Sequence, residues 1–278
     1  KKEKQMNTKK WMVGIISLMA LTALTACGNK TQTSKSSLEQ VKSAKVLKVA
    51  VSPDYPPFEF QMLKNGKNQV VGSDIDLAKA IAKKLGVKVQ IEPMDFNNVL
   101  ASLSTGKADI AISGISKTPE RAKSVAFSDI YYEADNALVV KKSELERYTS
   151  AADFKGKKVA AQKGAIQEEI VQKQLKGASE IALPAITDEI NEVKAGQVQG
   201  AVIEGLIAKS YVAANPDLAI AKLKLKTPTD SYGSAVALPK GETELTKVIN
   251  DVIKSQKANG QIEQSIQSNY KLSQSANK

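Results

Sequence analysis

The chain has 278 residues and a formal net charge of +11 at pH 7, with one cysteine and no histidine. The usual zinc, copper and haem ligands are therefore missing, and so are the Ser-His-Asp and Cys-His nucleophile sets, which excludes most hydrolytic and redox chemistry; no metal and no cofactor are expected. The lysines are spread along the chain and aromatics make up only 5%, so the basic, ring-studded stripe of a nucleic-acid binder is absent and no nucleic-acid partner is expected.

Lys9 and Lys10 precede an uncharged stretch from Trp11 to Ala26, the layout of a secretory signal peptide and shorter than the ~20 apolar residues of a membrane span. It ends in Leu24-Thr25-Ala26-Cys27, which resembles the bacterial lipobox, where the cysteine is acylated and becomes the first residue of the mature chain. Met6-Asn7-Thr8-Lys9-Lys10 has the form of a translation start, so Lys1 to Gln5 are set aside. Gly28 to Ser37 contains no apolar side chain, the composition of a solvated spacer. The expectation is a signal peptide over 1–26, a lipidated flexible tether over 27–42, and a membrane partner reached through Cys27. Five lysines and one glutamate fall among the first ten residues, which leaves +7 on the remainder.

The folded part begins at about Ser43 and runs for about 230 residues, enough for two lobes. Val46 to Val51 has the β-branched character of a strand, Asp74 to Leu85 places Ile75, Ala78, Ile81, Ala82 and Leu85 on one helical face, and Val87 to Ile91 is a second strand. This β-α-β unit points to an α/β sheet. Pro53, Pro56 and Pro57 end the first strand in an extended turn. That turn lies at the carboxyl edge of the sheet, where open α/β sheets bind ligands. Asp54-Tyr55-Pro56-Pro57-Phe58-Glu59-Phe60 supplies rings and carboxylates there, and Phe96 follows in Met94-Asp95-Phe96-Asn97-Asn98.

Val99 to Ser113 then forms a helix, a glycine cap at Gly106 and a strand, and Ile190 to Glu204 repeats the scheme with Gly196. Two such units about 90 residues apart argue for two lobes of like construction, with Ser113 and Glu204 ending their strands at the cleft. Between them, Ser116-Lys117-Thr118-Pro119-Glu120-Arg121 offers Thr118 as an N-cap, Pro119 at the first helical position and Glu120 at the positive end of the dipole. Arg121 is out of place in a first turn. The residues alone leave it either reaching for an anion or pointing to solvent or a nearby carboxylate.

Together Val49 to Phe60, Val71 to Ala78, Ser113 to Arg121, Val125 to Asp129 with Tyr131-Tyr132, Ala152 to Val159 and Gly233 to Leu238 resemble the solute-binding proteins of polar amino acid ABC importers, in the family's order along nearly the whole mature chain. The resemblance implies an α/β Venus-flytrap fold of type II with two crossing hinge strands, near Glu133 to Leu138 and Tyr232 to Val236. Lobe 1 would comprise 43–134 and 233–272, lobe 2 would comprise 135–232, and 273–278 would be a C-terminal tail.

It also implies a site for one free L-amino acid. Arg121 would fork onto the α-carboxylate, helped by the Ser116 backbone and the amides near Ala165 and Ile166. Glu204, together with Ser113 or the Gly114 carbonyl and the Ser116 hydroxyl, would take the α-ammonium, and Tyr55 and Phe96 would sandwich the ligand. Ser52 stands where relatives that bind cationic side chains often carry an acid; Asp54 and Glu59 are the nearby candidates to read the side chain instead. On this reading the protein is a monomeric receptor, not an enzyme, that delivers its ligand to importer permease subunits at the cell membrane. Arginine, lysine or histidine is favoured by the carboxylates of the Asp54 to Glu59 loop. The alternatives are glutamine or another polar amino acid, and a dehydratase-like enzyme on the same fold, with Glu204 as its acid.

Overall fold

The structure is a computed structural model that describes residues 36–64, 66–133, 135–228 and 233–276. The signal segment, the lipobox and Cys27 lie outside the described residues. In chain order the elements begin with α1 (Ser37–Ala44), β1 (Val46–Val51), β2 (Asp54–Tyr55), β3 (Glu59–Lys64), β4 (Lys67–Val71), α2 (Ser73–Leu85), β5 (Lys88–Pro93), α3 (Phe96–Ser104) and β6 (Ile110–Ala111). There follow α4 (Pro119–Ala122), β7 (Val125–Tyr132), β8 (Asn136–Lys141), β9 (Lys158–Gln162), α5 (Ile166–Gln174), β10 (Ser179–Leu183), α6 (Ile186–Ala195), β11 (Gly200–Glu204) and α7 (Gly205–Ala214). The chain ends with β12 (Leu218–Ile220), β13 (Ser234–Pro239), α8 (Thr243–Ala258) and α9 (Gln261–Ala276).

Two five-stranded sheets carry the two lobes, in the orders β5-β1-β6-β13-β7 and β10-β9-β11-β8-β12. In the first, β1 pairs in parallel with β5 and β6, while β13 runs antiparallel to β6 and β7. The second repeats the scheme, with β9 parallel to β10 and β11, and β8 antiparallel to β11 and β12. The odd strand in each is the one that has just entered from the other lobe: β8 follows β7, and β13 returns after β12. This topology is the two-lobed α/β architecture that the sequence resemblance implies.

The helix-glycine-strand echo has the same place in both sheets, as α3-Gly106-β6 and α6-Gly196-β11. Each glycine has a left-handed φ, +69° and +77°. In both, the glycine N–H returns to the carbonyl three residues back and the next N–H to the one five back: Gly106 to Leu103, Lys107 to Ser102, Gly196 to Val193, Gln197 to Glu192. This capping satisfies the last carbonyls of the helix and turns the chain into the central strand of its lobe.

The predicted face of α2 is buried at Ile75, Ala78, Ile81, Ala82 and Leu85 and packs with Leu47, Val49, Val51, Ile110 and Ile112 of the first sheet. The second lobe is covered on one side by Ile186, Ile190, Val193 and Ile207 and on the other by Tyr148, Phe154, Ile170 and Leu175. Burying an aliphatic side chain of this kind contributes about 1.5–3 kcal/mol.

Two boundaries differ from the expectation, and one element is added to it. The tether drawn over 27–42 is corrected at its end, because Ser37–Ala44 is helical. Ser36 and Glu39 form a capping box there and Val41 is buried against the first lobe. The tail drawn over 273–278 is corrected likewise: α9 continues to Ala276 with Ser273 buried, and the helix packs against α2 and α8 of the first lobe and α7 of the second. The proline-rich turn leads into a further three-stranded sheet, β2-β3-β4.

Candidate functional site

Between the lobes, drawn close together, lies a small cavity of about 20 Å³ lined by Tyr55, Phe96, Gly114, Ser116 and Arg121 from the first lobe and by Gln162, Ala165, Ile166, Glu189 and Glu204 from the second. The local sequence explains how each side arrives there. Thr118 caps α4 by accepting the Arg121 N–H at 3.2 Å. This fixes the short helix so that the Arg121 side chain turns back into the cleft. Its Nη1 donates to the Ser116 carbonyl at 2.8 Å and its Nη2 crosses to the Gly164 carbonyl of the second lobe at 2.9 Å. The guanidinium carbon lies 5.7 Å from the centre of the Phe96 ring, within cation–π range. Burial lowers the Arg121 pKa to about 10. Among the described residues no carboxylate forms an ion pair with this desolvated cation.

Beside Arg121, α5 begins at the cavity wall with Ala165 as its N-cap and Ile166 as its first residue; the Ala165 N–H donates to the Gln162 carbonyl at 3.0 Å, and the positive end of the helix faces the site. Gly164, at φ +82°, makes the turn that frees its carbonyl for Arg121. The arrangement is a fork plus a helix terminus, the chemistry of a carboxylate receptor.

Facing it, Glu204 ends β11 and is nearly fully buried, 6% exposed. Its Oε2 accepts the Tyr55 hydroxyl at 2.7 Å across the cleft, while its Oε1 is buried without a hydrogen-bond partner. Burial is the main cause that raises its pKa to about 8, with the Asp74 charge adding to it and the Tyr55 hydrogen bond opposing it. An incoming ammonium would satisfy the free oxygen and restore the charged form. The Tyr55 ring packs on Gly114, whose φ is +55°; a Cβ there would lie 2.6 Å from Tyr55 Cε1. Only glycine admits the ring at this distance.

The structure thus brings Tyr55, Phe96, Gly114, Ser116, Arg121, Ala165, Ile166 and Glu204 to one cavity wall. Four other residues singled out from the sequence lie elsewhere. Ser113 turns its hydroxyl away from the cavity, donating to Glu59 Oε1 at 2.6 Å and accepting the Ser52 N–H at 2.9 Å. Glu59 is 0% exposed, and a buried carboxyl left without a donor would cost more than the cleft contact Ser113 gives up. Burial and the nearby Asp74 carboxylate push the Glu59 pKa well up. Asp74, raised to about 6 by burial, accepts from the Tyr131 hydroxyl at 2.7 Å and the Gly114 N–H at 3.2 Å. Glu59 belongs to the support beneath Gly114.

Ser52 is occupied with Asp54, its hydroxyl donating to Oδ1 at 3.1 Å. Asp54 Oδ2 accepts the Ile186 N–H at 2.6 Å and the Gln162 side chain at 3.3 Å, and the Tyr211 hydroxyl donates to the Asp54 carbonyl at 2.8 Å. Asp54 therefore caps α6 and latches the lobes; both Ser52 and Asp54 line an outer cavity.

Gln162 and Glu189 were not among the sequence candidates. For Glu189 a signal exists: α6 buries Ile186, Glu189, Ile190 and Val193, so a glutamate occupies an apolar-stripe position that helical spacing would have shown. Gln162 ends β9 as a polar residue after an apolar run, the same signal that Glu204 gives at the end of β11.

Among the described residues no group of carboxylate or sulfur ligands is placed to hold a metal ion, and no helix is long and apolar enough to cross a membrane.

The sequence is 37% identical over 258 residues to the arginine-binding extracellular protein ArtP of Bacillus subtilis, covering 92% of this chain and 95% of that one. Two solved structures of amino acid ABC transporter substrate-binding proteins from Streptococcus pneumoniae bound to L-arginine are similar in fold. AbpA superimposes with a TM-score of 0.81 at 47% identity, covering 84% of this chain and 98% of its own. The second gives 0.82 at 42% identity, covering 85% and 98%. The sequence profile of the bacterial extracellular solute-binding proteins, family 3, matches residues 47–271, and with the two-lobed fold and the cleft between its sheets this chain belongs to that family.

Proposed function

We propose that this protein is an extracytoplasmic receptor that closes on one free L-amino acid with a cationic side chain, arginine first, and presents it to the permease of an ABC importer. The observation that carries the reading is the opposition of Arg121 on one lobe to Glu204 on the other across a single buried cavity, each with bonding capacity left over. An α-carboxylate on Arg121 and the α5 amides, and an α-ammonium on Glu204, can be held at once only when the lobes are together. The ligand's differential affinity then drives closure. The Ser116 hydroxyl and the Gly114 carbonyl complete the ammonium's acceptors, and Tyr55 and Phe96 flank the ligand. The arginine complexes of the two pneumococcal relatives and the name of the Bacillus relative support arginine as the ligand. The lipobox supports attachment to the outer face of the membrane through acylated Cys27.

The direct test is thermal unfolding of the 28–278 protein against each of the twenty amino acids at millimolar concentration. A micromolar site is stabilised by about 4 kcal/mol at a thousandfold excess of ligand, a shift of several degrees. Arginine should give the largest shift, with lysine next. A shift with glutamine alone would replace the ligand, and no shift with any amino acid would refute the receptor reading.

A further inference from the structure

Glu189 is the one carboxylate on the cavity wall that neither end of an amino-acid backbone requires. It is 0% exposed, it lines the same cavity as Arg121 and Glu204, and both of its side-chain oxygens are buried without a hydrogen-bond partner. Neither protonation state is satisfied by the protein around it. Ionised, the group has no donor; protonated, it has no acceptor for its hydrogen. A residue kept for packing alone would be better replaced by an apolar one, since Glu189 shares its helix stripe with Ile186, Ile190 and Val193. Its place in the first turn of α6 favours a negative charge.

The two charged groups that act on it electrostatically are both negative. Asp54 from β2 and Asp188 from α6 both act electrostatically on Glu189, and burial pushes its pKa well up. Gln162 from β9 is turned to Asp54 and the Tyr211 hydroxyl of α7 to the Asp54 carbonyl, and Arg121, on the same wall, donates to the Ser116 and Gly164 carbonyls, so none of the three donates to Glu189. The carboxylates of the Asp54 to Glu59 loop are committed to Ile186, Ser52, Gln162 and Ser113.

We propose that Glu189 is the specificity-determining residue of the cleft, a carboxylate from the second lobe that receives the cationic end of the ligand's side chain and discriminates guanidinium or ammonium from a neutral amide. The proposal rests on the reading of the cavity as an amino-acid site. A planar guanidinium brings several N–H donors to two oxygens that otherwise have none. A neutral urea of the same shape brings the donors without the charge.

The test is calorimetric titration of L-arginine and of L-citrulline, its neutral counterpart of nearly equal shape, into the wild-type protein and Glu189→Gln. Wild type should prefer arginine by about 100-fold or more. Glu189→Gln should lose that preference, with arginine weakened by about 100-fold and citrulline within about threefold of its wild-type affinity, while the ligand-free protein melts at or above the wild-type temperature. An arginine-to-citrulline ratio unchanged by the substitution would overturn the proposal. If Glu189→Gln does not fold, Glu189→Asp carries the test: withdrawing the carboxylate by one methylene should weaken arginine about tenfold and leave citrulline within threefold, and an unchanged ratio again overturns it. A wild type that binds citrulline as tightly as arginine removes the role of Glu189 but leaves the cleft an amino-acid site; a wild type that binds no amino acid removes both.

Discussion

Replacing Arg121 by alanine tests the centre of the site. In the closed cleft its guanidinium is held by the Ser116 and Gly164 carbonyls at 2.8 and 2.9 Å and lies against Phe96. Burial, opposed by the Tyr55 hydroxyl, lowers its pKa to about 10, so the cation is desolvated in the closed cleft. An α-carboxylate entering beside it forms a buried ion pair. Removing one partner of such a pair costs about 3–5 kcal/mol because the other is left uncompensated. That corresponds to a loss of affinity of about 150- to 5,000-fold. Arg121→Lys retains a charge but not the fork and should recover only part of the loss. The assay is isothermal titration of L-arginine at pH 7, with melting of the ligand-free variants as a control. The ligand-free melting temperature should stay within a few degrees of wild type, since Arg121 anchors no part of either core. An Arg121→Ala variant that binds within threefold of wild type would refute the assignment of Arg121 as the carboxylate receptor.

Other consequences follow from the same geometry. Gly114→Ala would set a methyl group 2.6 Å from Tyr55 Cε1 at a left-handed φ, which costs roughly 1–2 kcal/mol in the backbone alone; calorimetry should show weakened arginine binding, because the displaced ring loses Glu204. Gly72→Ala would place a Cβ 2.0 Å from the Phe58 carbonyl oxygen, and denaturant unfolding should show a loss of more than about 2 kcal/mol, among the larger effects a single residue produces. In the empty closed cleft the Glu204 pKa is about 8, against an ordinary 4.5 when open and hydrated. Closure without ligand therefore takes up a proton, and the closed form gains population as pH falls from about 8 toward 4.5 and loses it as pH rises through 8. Glu189 acts in the same direction. Inter-lobe distances from spin labels should shorten on acidification in wild type and less so in Glu204→Gln, and a distance independent of pH would refute this. Cys27→Ser should abolish metabolic labelling with palmitate and release the protein from the membrane fraction, testing the anchor.

Much of this protein was determined by local sequence. The apolar stripe of α2, the β-branched run of β1, the glycine that ends each of α3 and α6, and the Thr118-Pro119 start of α4 are short-range signals, and each forms where its residues require. Arg121 was legible for the same reason, as a cation in a first turn whose dipole repels it. Glu204 was legible as a polar residue ending a strand that is otherwise apolar. What local sequence could not decide was which carboxylates face the ligand. Ser52, Asp54 and Glu59 sit beside Tyr55 in the chain, yet Asp54 is taken by an N–H and a glutamine of the other lobe, 132 and 108 residues away. Glu59 is turned beneath the first sheet, where Ser113 holds it. Glu189, far from all of them in sequence, arrives on the cavity wall because α6 rolls its buried face over the second sheet. Hydrogen bonds between distant segments orient Asp54 and Glu59, and those that hold Asp54 exist only once the two lobes are packed together.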